Sequence, residues 1–188
     1  MQLVSWFAAA LIAMYAQAAA AADKFTLKSA DIAPNAKIAV KHVYKGFGCE
    51  GGNVSPALAW SGAPAGTKSF AVTMYDPDAP TGSGWWHWIV FNLPASTAGL
   101  EQGAGDASGT RLPAGAVQSR TDFGGPGYGG PCPPSGPSLK NPHRYIFTVF
   151  ALRVDKLDLT PDSSGALVGY MLNANALDKA SFTGRYGR

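Results

Sequence analysis

Three short clusters hold the residues of this sequence that could do chemistry. Asp76-Pro77-Asp78-Ala79-Pro80, Trp85-Trp86-His87-Trp88 and Pro142-His143-Arg144-Tyr145 each place a titratable or hydroxyl group beside a run of β-branched and aromatic residues. His87 and His143 can each donate a hydrogen bond to an anion, and a nearby carboxylate would favour their charged forms near neutral pH. Tyr145 adds a hydroxyl donor. Asp76 would repel a bare phosphate, so it suits the orientation of a histidine or the acceptance of an ammonium group. An Asp beside a His also raises hydrolase or lyase chemistry, with Asp76 and His87 as acid or base. A Ser–His–Asp triad needs its serine on a sharp exposed turn. Ser135 and Ser138 lie close by, yet the chain has no GxSxG motif and no evidently activated nucleophile, so no catalytic residue is assigned. His42, His87 and His143 lack HExxH or HxH spacing and neither cysteine has a CxxC partner; no metal and no cofactor is expected.

These residues need a scaffold that brings the ends of separate segments together. Residues 69–75 (SFAVTMY), 87–93 (HWIVFNL) and 144–152 (RYIFTVFAL) are apolar on both faces, the pattern of strands in the middle of a sheet. If the three are neighbours, Asp76, His87 and His143 meet at one rim, with apolar walls and a few directed polar groups. Residues 25–29 read as an edge strand, 37–44 as a half-buried strand and 57–60 as a short strand. One helix is expected near the end, capped by Asp162 or Ser163, with Leu167, Tyr170, Met171, Ala174 and Leu177 as its covering face. Residues 100–141 carry many Gly and Pro and little apolar content. A loop this long in a domain usually has a purpose, and adjacent prolines near glycines make a constrained wall rather than a spacer. Simpler roles are expected for several neighbours. Asp78 caps a turn, His42 is a solvated strand residue, Trp86 and Trp88 are core, and Arg144 pairs with an acid or caps a strand end.

Taken in order, the DPDAP, WWH, Gly130-x-x-Pro133-Pro134 and His143-Arg144-Tyr145 motifs resemble the phosphatidylethanolamine-binding protein family, also called Raf kinase inhibitor-like proteins. Gly48-Cys49-Glu50-Gly51-Gly52-Asn53-Val54-Ser55-Pro56 and Leu58-x-Trp60 are similar to its bacterial branch. The resemblance runs from about residue 25 to the end. It implies a mainly β, sandwich-like fold with a C-terminal helix and long Gly/Pro-rich loops. It also implies a small cavity that binds anions such as phosphate, acetate or phospholipid head groups. Carried over position by position, the ligand-binding residues would be Asp76, Ala79, Pro80, Trp85, His87, Gly130, Pro133, Pro134, His143 and Tyr145. Two departures stand out: the link from Pro134 to His143 is longer than the family's, and Cys132 occupies the site of a family glycine. The animal kinase-inhibitor role depends on cytosolic partners and does not transfer to an exported chain.

Export is read from the first residues. Residues 1–22 carry no charged side chain, and a long apolar run ends in Ala20-Ala21-Ala22, the pattern of a signal peptide cleaved near Ala22/Asp23. The expected product is a single domain over 23–188, periplasmic or secreted. No later stretch is apolar for long enough to span a bilayer. In an oxidising compartment Cys49 and Cys132 are candidates for a disulfide, the other reading being two separate thiols. The composition agrees with a folded domain: 46% hydrophobic residues exclude a disordered chain, while 23 Gly and 14 Pro in 188 residues mark it as loop-rich. The net charge of +3 comes from scattered basic residues, which argues against a nucleic-acid surface. A small anion or phospholipid head group is the expected partner. A protein partner docking on the long loop, as an inhibitor or interaction module would use, is the second reading.

Overall fold

The three segments that are apolar on both faces form the centre of one antiparallel sheet, as β-branched and aromatic residues in a doubly covered sheet should. The computed structural model describes residues 24–136 and 142–188; the expected leader over 1–22 and Ser138 lie outside the described residues. In chain order the strands are β1 (Thr26–Lys28), β2 (Lys45–Gly46), β3 (Cys49–Glu50), β4 (Leu58–Ser61), β5 (Ser69–Asp76), β6 (Trp85–Pro94), β7 (Gly99–Leu100), β8 (Val117–Gln118), β9 (His143–Leu152) and β10 (Ala176–Tyr186), with one helix, α1 (Gly165–Asn175). The main sheet has the order β10-β9-β5-β6-β8, and β1-β4-β7 form a second, smaller sheet. Leu27, Leu58 and Trp60 from the smaller sheet, with Phe25 just before β1, pack on Phe70, Val72, Met74, Trp88 and Phe147 from the main one, giving the core of a β-sandwich. The opposite face of the main sheet, including Ala71, Ile89, Phe91 and Phe150, is covered by Val168 and Leu172 of α1.

Several expectations are corrected. Residues 37–44 are not a strand. Lys37 makes an isolated bridge to Arg185, and Val40–His42 form a 3-10 turn. This segment turns because its carbonyls serve another chain segment: Gly52, Asn53 and Val54 donate to Val40, Val43 and Lys41. His42 is therefore fully buried rather than solvated, with Nδ1 donating to Val54 O at 2.6 Å. Burial pushes its pKa down.

The helix is present but turns a different face to the sheet. Its buried residues are Gly165, Val168, Gly169 and Leu172, whereas Leu167, Tyr170 and Leu177 are exposed. Gly165 and Gly169 lie against the Trp86 ring, so the apolar group at that contact is supplied by β6 rather than by the helix. Hydrophobic periodicity cannot register a glycine that a tryptophan covers. The N-cap is Ser164, whose Oγ accepts from Leu167 N; Ser163 Oγ instead accepts from Thr160 N, closing the preceding turn. Leu177 belongs to β10, an edge strand whose inner positions are Ala180, Phe182 and Gly184.

The Gly/Pro-rich stretch is packed over its described part. Val117–Gln118 adds β8 to the main sheet, Trp88 Nε1 donates to Gln118 Oε1 at 2.7 Å, and the buried Tyr128 hydroxyl donates to His42 O at 2.8 Å. A disulfide joins Cys49 and Cys132 and so ties this stretch to the β2–β3 hairpin. Among the described residues no helix is long and apolar enough to cross a membrane.

Candidate functional site

Antiparallel pairing of β9, β5 and β6 brings the end of β5 beside the starts of the other two strands. Tyr75 pairs with Ile146, and Asp76 pairs with Trp85. Asp76, His87 and His143 consequently reach one cavity of about 210 Å³. Ala79 and Pro80 line it from the β5–β6 loop, Trp85 from β6, Tyr145 from β9, and Pro133 and Pro134 from the Gly/Pro-rich stretch. Gly130 does not line it. Its backbone N–H donates to Asn53 Oδ1, and a Cβ there would collide with His42 O and Tyr44 N, so this glycine permits two backbones to pack closely.

Both oxygens of the buried Asp76 carboxylate accept a hydrogen bond. Oδ2 accepts from His143 Nδ1 at 2.7 Å, and Oδ1 accepts from Asp78 N at 2.8 Å. Burial raises the Asp76 pKa, opposed by these hydrogen bonds. Asp76 thus orients His143 and makes the turn, whereas Asp78, expected to cap the turn, forms a two-pronged ion pair with Arg144 at 2.7 and 2.9 Å. The Arg144 guanidinium holds Asp78 at a pKa of about 2. That pair fastens the β5–β6 loop to the start of β9 and leaves Arg144 neutralised.

His87 is held differently. Its Nδ1 lies 2.7 Å from Gly129 O; a carbonyl can only accept, so Nδ1 carries the proton. Burial pushes the ring's pKa down to about 4. At neutral pH His87 is uncharged and Nε2 is an acceptor, which corrects the expectation that both histidines donate to an anion. Pairing of Asp76 with His143 likewise leaves no Asp76–His87 acid–base pair. The ring of His87 is set between Phe123 and Tyr145, with centroids 5.3 and 5.1 Å away and edge-on geometry.

Two of the lining residues carry an unpaired donor. The Tyr145 hydroxyl and the Trp85 indole N–H are buried without a hydrogen-bond partner among the described residues. Buried polar groups are seldom left so, since each costs about 1–3 kcal/mol. Four further lining residues escaped the sequence reading of the site: Phe47, Thr81, Phe123 and Cys132. Phe123 stacks on Phe47 and on Tyr44, and Phe47 lies tilted against Tyr44, so that the three rings form an aromatic lip. The available signal was a lone aromatic beside glycine, in Gly46-Phe47-Gly48 and Phe123-Gly124.

Fold and cavity together define a small-cavity β-sandwich of the phosphatidylethanolamine-binding type. The family model described as "Phosphatidylethanolamine-binding protein" matches residues 28–187, and the chain belongs to that family. It is 56% identical to the UPF0098 protein YbcL of Escherichia coli over 177 residues, covering 94% of this chain and 93% of that one. It is 51% identical to E. coli YbhB over 160 residues, covering 85% and 98%. The crystal structure of E. coli YbcL superposes with a TM-score of 0.84 over 87% of this chain and 98% of that one. A homologue from Chlamydia trachomatis, CT736, is 28% identical, with a TM-score of 0.71 over 87% and 97%.

Proposed function

We propose that this protein is an exported binding protein whose cavity takes a small oxyanion or the phosphorylated head group of a lipid. The observation that carries this reading is Tyr145, a lining residue of the cavity whose buried hydroxyl has no hydrogen-bond partner among the described residues. Trp85 Nε1 is a second donor in the same condition, and an anionic oxygen is the acceptor that both lack. The aromatic and proline walls would exclude water and strengthen those contacts. Asp76 orients His143 and offers its charge to the ammonium of an ethanolamine-like group. Binding fits better than covalent catalysis, because Thr81 Oγ1 already donates to Gly84 O and Cys132 is locked in the disulfide. The disulfide also supports an oxidising destination.

Calorimetric titration of the protein and of Tyr145→Phe with phosphate and O-phosphoethanolamine tests this. Hydrogen bonds to charged groups contribute about 1.5–3 kcal/mol, so the variant should bind roughly tenfold or more weakly. Its stability should stay within about 1 kcal/mol of the parent or rise, because the hydroxyl it loses has no partner to abandon. Unchanged affinity would remove Tyr145 from the site and with it the main support for the reading.

A further inference from the structure

Among the described residues no lysine or arginine lines the cavity, whereas the carboxylate of Asp76, with its partner His143, does. Arg144, at the rim, is already paired with Asp78. An oxyanion entering with two negative charges would give up its hydration to apolar walls and meet a carboxylate. The polar groups are also not all donors. Tyr145 Oη and Trp85 Nε1 donate, but the Nδ1–H of His87 is committed to Gly129 O, which leaves Nε2 with a lone pair. An anion without a proton would set its own lone pair against that one. A ligand that both accepts and donates would satisfy all three groups.

Resting on the anion-binding reading above, we infer that the cavity selects an oxyanion carrying its own proton, a singly protonated phosphate monoester rather than the dianion, with the ligand O–H donating to His87 Nε2. Among the described residues, the titratable or charged groups beside His87 at the cavity include Asp76 on β5, and His143 and Tyr145 on β9, with the Asp78–Arg144 pair next to them. Asp122 lies on the segment after β8, where it accepts from Trp86 N, and Tyr44 stacks on Phe123. The depressed pKa of His87 keeps the ring neutral above about pH 5, so the acceptor persists across the range in which a phosphate monoester loses its second proton, near pH ~6.

Methyl phosphate and methyl sulfate supply the test. They have nearly the same shape, and both are monoanions at about pH 5, where only methyl phosphate keeps an O–H. Titrating the protein with each probe at about pH 5 and about pH 8 separates ligand from protein, because titration of Asp76 or His143 acts on both probes alike. Methyl phosphate should bind about tenfold or more tightly than methyl sulfate at the lower pH, the ratio expected of one charge-assisted hydrogen bond. The ratio should collapse or reverse at the higher pH. Equal affinities at the lower pH, or a preference that survives at the higher one, would overturn proton selection while leaving an anion site in place. Binding of neither probe would overturn both readings.

Discussion

His87 sits at the point where burial and function meet. Its pKa falls to about 4 from 6.5 because the buried ring cannot be solvated as a cation. The unfolded chain therefore takes up this proton first as the pH drops. The stabilisation due to neutral His87 is complete above about pH 6.5 and is lost progressively down to about pH 4. At about 1.4 kcal/mol per pH unit, this amounts to roughly 3 kcal/mol. Buried His42 acts in the same direction. Denaturant unfolding at pH ~7 and ~4.5 should show a marked loss for the parent and a smaller one for His87→Gln, with the rest due to His42 and other groups. An identical loss in both proteins would contradict the buried, neutral state assigned to His87. At this scale the sequence identified the chemistry-bearing residues but not their pairings. Nothing in the spacing says that Asp76 takes His143 rather than His87, or that Gly129 O fixes the His87 tautomer. Those facts depend on strand order and on the course of a loop.

At the scale of elements, the strands with apolar residues on both faces were legible because a central strand has no other way to look. Their order and antiparallel pairing are what carry Asp76, His87 and His143 to one rim. The helix face was misread for a physical reason: Trp86 fills the space above Gly165 and Gly169, and the contact is written in another element. The 37–44 segment and the edge strand β10 were hidden likewise. The first makes its hydrogen bonds to residues 51–54, and the second carries charged residues on its open face. One consequence runs against simple propensity. Ala is normally the better helix former by about 1 kcal/mol, yet Gly165→Ala should destabilise the protein by roughly 1–3 kcal/mol, because the new methyl meets the Trp86 ring. Thermal unfolding of the variant reads the sign directly, and a stabilised variant would contradict the packing described for α1.

For the molecule as a whole, the Cys49–Cys132 link matters more than its two residues suggest. It spans 83 positions and joins the hairpin that carries Phe47 to the stretch that carries Pro133 and Pro134. Closing a loop of this length stabilises by about 4 kcal/mol in the chain-entropy model. Cys49→Ser with Cys132→Ser should therefore lower the denaturant midpoint substantially and loosen two walls of the cavity, weakening phosphate binding as well. A variant with the parent's midpoint would show that the core, the Tyr44 N–Pro131 O bond and the Arg188 bonds to Pro133 O and Gly48 O are enough to hold these segments. Family-wide motifs placed the cavity in the sequence with nine of its lining residues, but the aromatic lip of Phe47 and Phe123 lies outside those motifs and emerged only from the fold.

In the proposed function, the cavity between β5, β6 and β9 holds a small phosphorylated anion. The chain's three histidines provide a direct measurement, because His87 and His143 line the cavity and His42 is buried elsewhere. Ring signals of all three, followed by NMR during titration with phosphate and then O-phosphoethanolamine, should give saturable shifts for His87 and His143 with a common midpoint and none for His42. An absence of saturable shifts, or equal shifts of all three rings, would contradict it.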